Sequence, residues 1–340
     1  MTLPVARQRL LSLVASLGGR RIAVAGDYVL DRFVFGHPKR VSREAPVLIL
    51  RFWKEESQPG GAGNTAANIR SLGGVPVPVG AVGDDPEGRS LREILESRGI
   101  ETSGLVPVAS YRTPTKTRIL GGGPHSIKQQ IVRYDREDSL PEDGALRFAL
   151  ESKLAAAAAG ADGAVLSDYG YGGVSPAAVA LLRRTLRPGA PILLDSRHRL
   201  TEYAGVDAAT PNEEEIEEAA GRPLGESVET LAAAGAAVKK ALRCATLLVT
   251  RGSRGMALFA GEGPPTLIPV HGTDQVADVT GAGDTVLAAF TLALAAGATP
   301  LEAALLANFA GGVVVMKTGT ATVSSDELRQ AIASDRTLLS

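Results

Sequence analysis

The 340-residue sequence predicts an α/β fold in which a mostly parallel sheet is covered by helices on both faces and carries a small second β-sheet. Three observations predict it. Short apolar runs without polar alternation recur at 21–26 (RIAVAG), 75–83, 163–168, 191–195 and 246–250, the pattern of strands buried on both faces. Helix-like stretches lie between them, near 64–72, 86–98, 144–159, 175–187, 212–220 and 226–243. Two runs, 32–58 and 112–136, break that rhythm with strand-like alternation around Gly36-His37-Pro38 and Gly121-Gly122-Gly123-Pro124.

Taken in order, the first 21 residues read as an amphipathic helix ending at Gly18-Gly19, with no long apolar core that would mark a secretory leader. The two irregular runs read as a lid that covers a ligand, with Phe33, Val34, Phe35, Ile49, Leu50, Phe52 and Trp53 offering an apolar surface for pairing lids in a homodimer. Val286 to Gly297 is apolar enough for a buried helix, closed by Gly297 in a left-handed cap. The whole of 1–340 reads as one domain with this lid.

Composition narrows the function. Lys+Arg 36 against Asp+Glu 37 leaves a net charge of -1, and no run of like charge would grip nucleic acid or an anionic membrane. Apolar runs fall short of the ~20 residues that span a bilayer. The single cysteine, Cys244, excludes an intrachain disulfide and suits a reducing cytoplasm as a small buried residue. Small metabolites are the expected partners.

The run Asp278-Val279-Thr280-Gly281-Ala282-Gly283-Asp284-Thr285 sets small residues and a carboxylate where a helix begins. Backbone N–H groups of a first helical turn, with no side chain at Gly281 or Gly283, can receive a phosphate. Asp284 beside that cradle would repel phosphate, which suits it to take a proton from an attacking hydroxyl; the alternative is an N-terminal cap. Val286 stands where a dinucleotide fingerprint needs its third glycine, and the chain has no G-x-x-x-x-G-K-[ST] loop. In Pro59-Gly60-Gly61-Ala62-Gly63-Asn64, Asn64 either caps the next helix or touches a sugar, and the glycines leave room for a polar ligand at the backbone. Asp31, after the first strand, could accept hydrogen bonds from sugar hydroxyls.

In this order and spacing these residues resemble the PfkB/ribokinase family of carbohydrate kinases over nearly the whole chain. The resemblance implies a ribokinase-like three-layer sandwich, ATP as phosphoryl donor, Mg²⁺ and a sugar acceptor. It makes Asp284 the general base beside an anion hole at Gly281, Ala282 and Gly283, and gives Asp31, Gly60, Gly61, Asn64 and Asp168 to the acceptor. Asn212 and Glu215 of TPNEEE match the Asn-x-x-Glu motif, with Glu215 acting on Mg²⁺ through water; both could equally form a capping box. Thr250, Arg251, Gly252 and Gly255 match a nucleotide-binding turn, though Arg251 and Arg254 could be solvated charges. Asn308 falls where a closing helix faces adenine, and Asp278 and Thr280 where relatives line a K⁺ site.

Within the family, GDYVLDRFVFGHPKRVSREAPV, VLSDYG and VTRGSRGMAL resemble the branch that phosphorylates D-glycero-β-D-manno-heptose 7-phosphate at the anomeric carbon toward ADP-heptose for lipopolysaccharide. The stand-alone form of that kinase is the expectation, since no nucleotidyltransferase pattern occurs. Two cationic positions of that branch differ: Tyr171 replaces a lysine, and Asp195-Ser196-Arg197 replaces Asp-Pro-Lys. Arg118, Lys128, Arg133 and Arg197 are then candidates for the sugar phosphate, against ordinary surface charge. Another sugar or ketose-phosphate kinase, a nucleoside kinase and a non-catalytic sugar-binding protein are the alternative readings.

Overall fold

A computed structural model describes residues 3–123, 128–272 and 277–339. In chain order the elements are β1 (Leu3–Ala6), α1 (Arg7–Ser16), β2 (Arg21–Gly26), β3 (Tyr28–Val41), β4 (Leu48–Gly61), α2 (Ala62–Ser71), β5 (Val75–Gly83), α3 (Pro86–Ser97), β6 (Leu105–Val108), β7 (Thr115–Gly121), β8 (Gln129–Arg136) and α4 (Gly144–Ala158). The second half runs β9 (Gly163–Asp168), α5 (Ala177–Thr185), β10 (Ile192–Ser196), β11 (Ala208–Ala209), α6 (Glu213–Ala220), α7 (Val228–Leu242), β12 (Thr246–Thr250), β13 (Met256–Ala260), β14 (Thr266–Ile268), α8 (Ala282–Ala295), α9 (Pro300–Val314), α10 (Ser325–Ser334) and β15 (Leu338–Leu339).

Nine strands form the main sheet in the order β14-β13-β12-β11-β10-β9-β2-β5-β6. Pairings from β12 to β6 are parallel, and at one edge β13 runs antiparallel to both of its neighbours, β12 and β14. Strand side chains alternate between two cores, which is why these strands are apolar at every position. Ile22 and Val24 of β2 join Val165, Leu193 and Leu248 against α1, α2, α8, α9 and α10, whereas Ala23 and Ala25 join Leu166, Leu194 and Val249 against α4, α5 and α7. Chain order reverses beside β2, between β5 and β9, so the strands open a crevice at their carboxyl ends, and Asp27, Asp168 and Asp195 lie there.

The two irregular runs supply a separate four-stranded sheet, β4-β3-β7-β8, with residues 124–127 outside the described part. Its register sets Asp31 opposite Lys116, Phe33 opposite Arg118 and Phe35 opposite Leu120 on one face. Phe33 and Phe35 are buried with Leu120, so they are not part of the exposed apolar surface that the sequence suggested. Val41, Phe52, Trp53, Val132 and Tyr134 remain exposed there.

Among the described residues no helix is long and apolar enough to cross a membrane. Cys244 is buried, and burial pushes its thiol up to about 11, as for an unreactive core residue. Phe290 of α8 is completely buried between the sheet and α9. Phe290→Ala should lower unfolding stability by about 3–5 kcal/mol, measured as a lower urea midpoint.

Candidate active site

Asp284 occupies the third position of α8, after Gly281 in the left-handed conformation (φ 75°). It does not cap the helix; its carboxylate is buried against α2. Asn64 Nδ2 donates to its Oδ2 at 2.9 Å and to the Gly281 carbonyl at 3.2 Å, and Tyr169 OH donates to Oδ1 at 3.0 Å. The Asn64 amide is itself oriented. The Val323 N–H donates to Asn68 Oδ1 (3.3 Å), which leaves Asn68 Nδ2 to donate to Asn64 Oδ1 (3.1 Å) and turns Asn64 Nδ2 toward Asp284. Asn64 lies inside α2, which starts at Ala62, so it is not a helix cap.

Burial raises the Asp284 carboxyl to about 7; hydrogen bonds from Asn64 and Tyr169 oppose this, nearby Asp31 adds to it and Lys116 opposes it. Of the phosphate cradle, Ala282 donates its N–H to the Val279 carbonyl (3.2 Å), so that donor is engaged. The Gly283 and Asp284 N–H groups find no acceptor among the described residues. A Cβ on Gly283 would point into open space, whereas one on Gly281 would strike Asn64 Nδ2.

Three adjoining cavities meet here, each bordered by Tyr169 and Arg197. The first, about 250 Å³, is lined by Asp284, Asp31, Lys116, Arg118, Arg133 and Thr280 among others. Another of about 630 Å³ extends from it past Lys116 and Arg133 to Tyr171, Glu137 and His198. The third, about 420 Å³, lies across Gly281 and Gly283 and is lined by Asp168, Asp195, Thr210, Asn212, Glu215 and Thr250.

In the first cavity Arg118 pairs with Asp31 (2.5 Å), and Arg133 with Asp135 (2.8 Å from Nε). Lys116 and Arg197 have no carboxylate within 4 Å among the described residues, so both face the cavity without a direct ion-pair partner, while Asp31 and Asp135 act on Lys116 and Arg197 acts on Asp195 and Glu215 from further away. Burial lowers the Lys116 ammonium pKa, and Arg197 and Arg133 lower it further against Asp31 and Asp135. Lys116 is the residue that sequence reasoning missed. The alternation Lys116, Arg118 in TKTRILG marked two cations on one strand face, but not that the face meets Asp284.

Other residues singled out in the sequence make contacts within the protein. Gly61 lines the cavity at Asp284, and both glycines are also required by their neighbours: a Cβ on Gly60 would strike the Asp31 carboxylate, and one on Gly61 (φ 56°) would lie 2.6 Å from the Asp27 carbonyl and 3.3 Å from the Tyr169 ring. Asp168 is engaged by Arg199 (2.7 Å), Ser196 (2.8 Å) and the Gly170 N–H, so it ties β9 to β10. Lys128 lies beside Trp53 and the Gly123 carbonyl and lines none of the three cavities. Arg251 and Arg254 both bond Glu213 (3.0 and 2.6 Å), so neither is a simple solvated charge. Gly255 must be glycine, since a Cβ would collide with the Ile268 carbonyl at φ 76°, whereas Gly252 turns in open space. Asn308 is buried on α9 with its amide donating to the Pro269 carbonyl (2.9 Å), away from these cavities.

Asn212 and Glu215 do form a capping box on α6, with bonds of 2.9 and 2.8 Å, while both also line the third cavity. Burial raises Glu215 to about 7, and burial with repulsion from Glu215 and Asp284 holds Asp195 well above the usual carboxylate range. The Asp195 carboxylate accepts no hydrogen bond among the described residues. Two desolvated carboxylates sharing a cavity fit a divalent cation that retains water. Asp278 instead accepts from the Thr280 and Gly319 N–H groups (2.9 Å each), so its oxygens pin this turn.

With this geometry in view, the family comparison is direct: the pfkB family carbohydrate kinase model matches residues 29–327. The chain belongs to this family of ATP-dependent carbohydrate kinases. Its relatives include the bifunctional protein HldE of Mesorhizobium japonicum, 40% identical over 97% of this chain and 65% of the relative. The chain thus spans slightly less than two thirds of that relative's length. The fold is that of Arabidopsis thaliana ribokinase complexed with ribose and ATP, at a TM-score of 0.70 and 21% identity over 93% of this chain and 100% of that one. It is also that of Escherichia coli phosphofructokinase-2 in complex with potassium, at a TM-score of 0.74 and 21% identity over 93% and 98%.

The raised Asp284 carboxyl has a stability consequence. Its folded pKa of about 7 exceeds the ordinary 3.8, so its contribution is fully present below the unfolded value and lost as pH rises through 7. Asp284→Asn should therefore be more stable than the native chain at pH 8, by on the order of 2–4 kcal/mol, and gain nothing at pH 4. Urea unfolding at the two pH values measures it.

Proposed function

We propose that this chain transfers the γ-phosphoryl group of ATP to the anomeric hydroxyl of D-glycero-β-D-manno-heptose 7-phosphate, giving the 1,7-bisphosphate. The observation that carries the reading is one cavity with a buried carboxylate, Asp284, and two cations without a direct ion-pair partner among the described residues, Lys116 and Arg197. An acceptor that reacts at one end and bears an anion at the other suits that arrangement. The likeness of the sequence to heptose 7-phosphate kinases and the match to HldE support the same acceptor.

Asp284 takes the proton as the acceptor oxygen attacks the γ-phosphorus and the bond to the β-phosphate oxygen breaks, releasing ADP. The Gly283 and Asp284 N–H groups stabilise charge on the phosphoryl group in flight. Asp195 and Glu215 would hold Mg²⁺ through water, which neutralises charge on the nucleotide phosphates. Arg197 borders all three cavities and binds the acceptor phosphate together with Lys116 and Arg133. Tyr171, in place of a lysine, donates to Glu137 (2.6 Å) and adds no charge, so Lys116 carries the cationic role. The β4-β3-β7-β8 sheet closes over the acceptor as a lid, and its exposed Phe52 and Trp53 pair two subunits. K⁺ activation would come through carbonyl oxygens of the 278–280 turn.

Asp284→Asn should lose at least three orders of magnitude in kcat while still binding ATP, and retained turnover would refute the base. In an acceptor panel the heptose 7-phosphate should be best. Lys116→Ala and Arg197→Ala should each raise its KM about tenfold or more and leave that of a neutral sugar unchanged. Preference for a neutral sugar in both variants and native chain would remove the heptose assignment. Sedimentation should show a dimer that Trp53→Glu dissociates.

A further inference from the structure

We propose that Tyr169 is a positioning residue for the base, its hydroxyl fixing Asp284 Oδ1 while Asn64 fixes Oδ2, and that Asp27 holds the loop that presents it. The inference rests on Asp284 being the base. Its geometry is independent of any ligand: the phenol donates at 3.0 Å, and Asn64 donates to the other oxygen at 2.9 Å. A carboxylate held at both oxygens cannot rotate, so its remaining lone pairs keep one direction toward the acceptor cavity.

The loop after β9 is built to deliver this contact. Asp27 is buried at the end of β2 and accepts the N–H groups of Tyr169 (2.8 Å), Tyr171 (3.1 Å) and Gly173 (2.7 Å). The missing side chain of Gly61 gives the Tyr169 ring its place beside α2. Lys116 lies 5.3 Å from the ring centroid, so one aromatic ring touches both the proton acceptor and the cation proposed for the acceptor phosphate. The groups facing Asp284 are Asn64 and Thr65 of α2, Asp31 of β3, Lys116 of β7, Tyr169, and more distantly Asp195 of β10. Tyr169 is the donor among them that comes from the loop. Burial and the neighbouring carboxylate keep its phenol protonated, so it donates throughout the working pH range.

Tyr169→Phe removes the hydroxyl and keeps the ring. Expected are a ten- to hundredfold lower kcat, an unchanged KM for ATP, and an acid limb of kcat/KM moved upward by about one pH unit, because a donor to the charged carboxylate is gone. The Asp284 carboxyl carbon, assigned in ¹³C-aspartate-labelled protein by its loss in Asp284→Asn, should titrate higher by the same amount without any turnover. Native kcat with an unmoved limb and carbon titration in Tyr169→Phe would overturn the proposal, and if Asp284→Asn is inactive the base assignment survives that result. Turnover retained by Asp284→Asn would instead remove the base and the inference together. Should Tyr169→Phe fold poorly, global 3-fluorotyrosine, a stronger donor, should lower the acid limb in the native chain; no shift would equally overturn it.

Discussion

A buried carboxylate between two helices is the constraint on which the site depends. Asp284 enters the protein at the first turn of α8, where the helix dipole favours its charge, yet burial against α2 opposes that charge. Hydrogen bonds resolve the conflict. The chain from the Val323 N–H through Asn68 and Asn64 to Asp284 joins the segment before α10, the interior of α2 and the start of α8. None of these groups can be removed without leaving another polar group buried and unpaired.

The glycines follow from the same constraint. In PGGAGN they accommodate neighbours of the protein itself, the Asp31 carboxylate at Gly60 and the Tyr169 ring at Gly61. At Gly281 the missing side chain admits Asn64, and at Gly283 it leaves space open beside an unpaired N–H. One residue type thus has two uses within a few ångströms, tight packing behind the carboxylate and an open approach in front of it.

Charge is divided in a comparable way across the crevice. Asp31 with Arg118 and Asp135 with Arg133 form ion pairs of the small sheet, while Lys116 and Arg197 face the cavity at Asp284 without a direct ion-pair partner among the described residues. Asp195 and Glu215 stay desolvated on the nucleotide side. Arg197 borders both cavities, so its charge faces Asp31 and Asp284 on one side and Asp195 and Glu215 on the other.

The sequence by itself determined the parallel sheet, because strands covered on both faces must be apolar at every position, and RIAVAG, GAVLSD and TLLVT state this directly. It also determined the helix start at Gly281-Ala282-Gly283-Asp284, where local glycine conformation and dipole agree, and the capping box at Asn212 and Glu215. Only the tertiary structure decided which polar residues share a space. Lys116 meets the cavity at Asp284 because β7 pairs with β3 in a register that sets it opposite Asp31, and Arg251 is paired because α6 brings Glu213 to it. Tyr169 reaches Asp284 from 115 residues away. Local patterns follow from nearest-neighbour sterics and solvent, which a sequence displays; ion pairs and hydrogen bonds across distant segments depend on register and helix packing, which it does not.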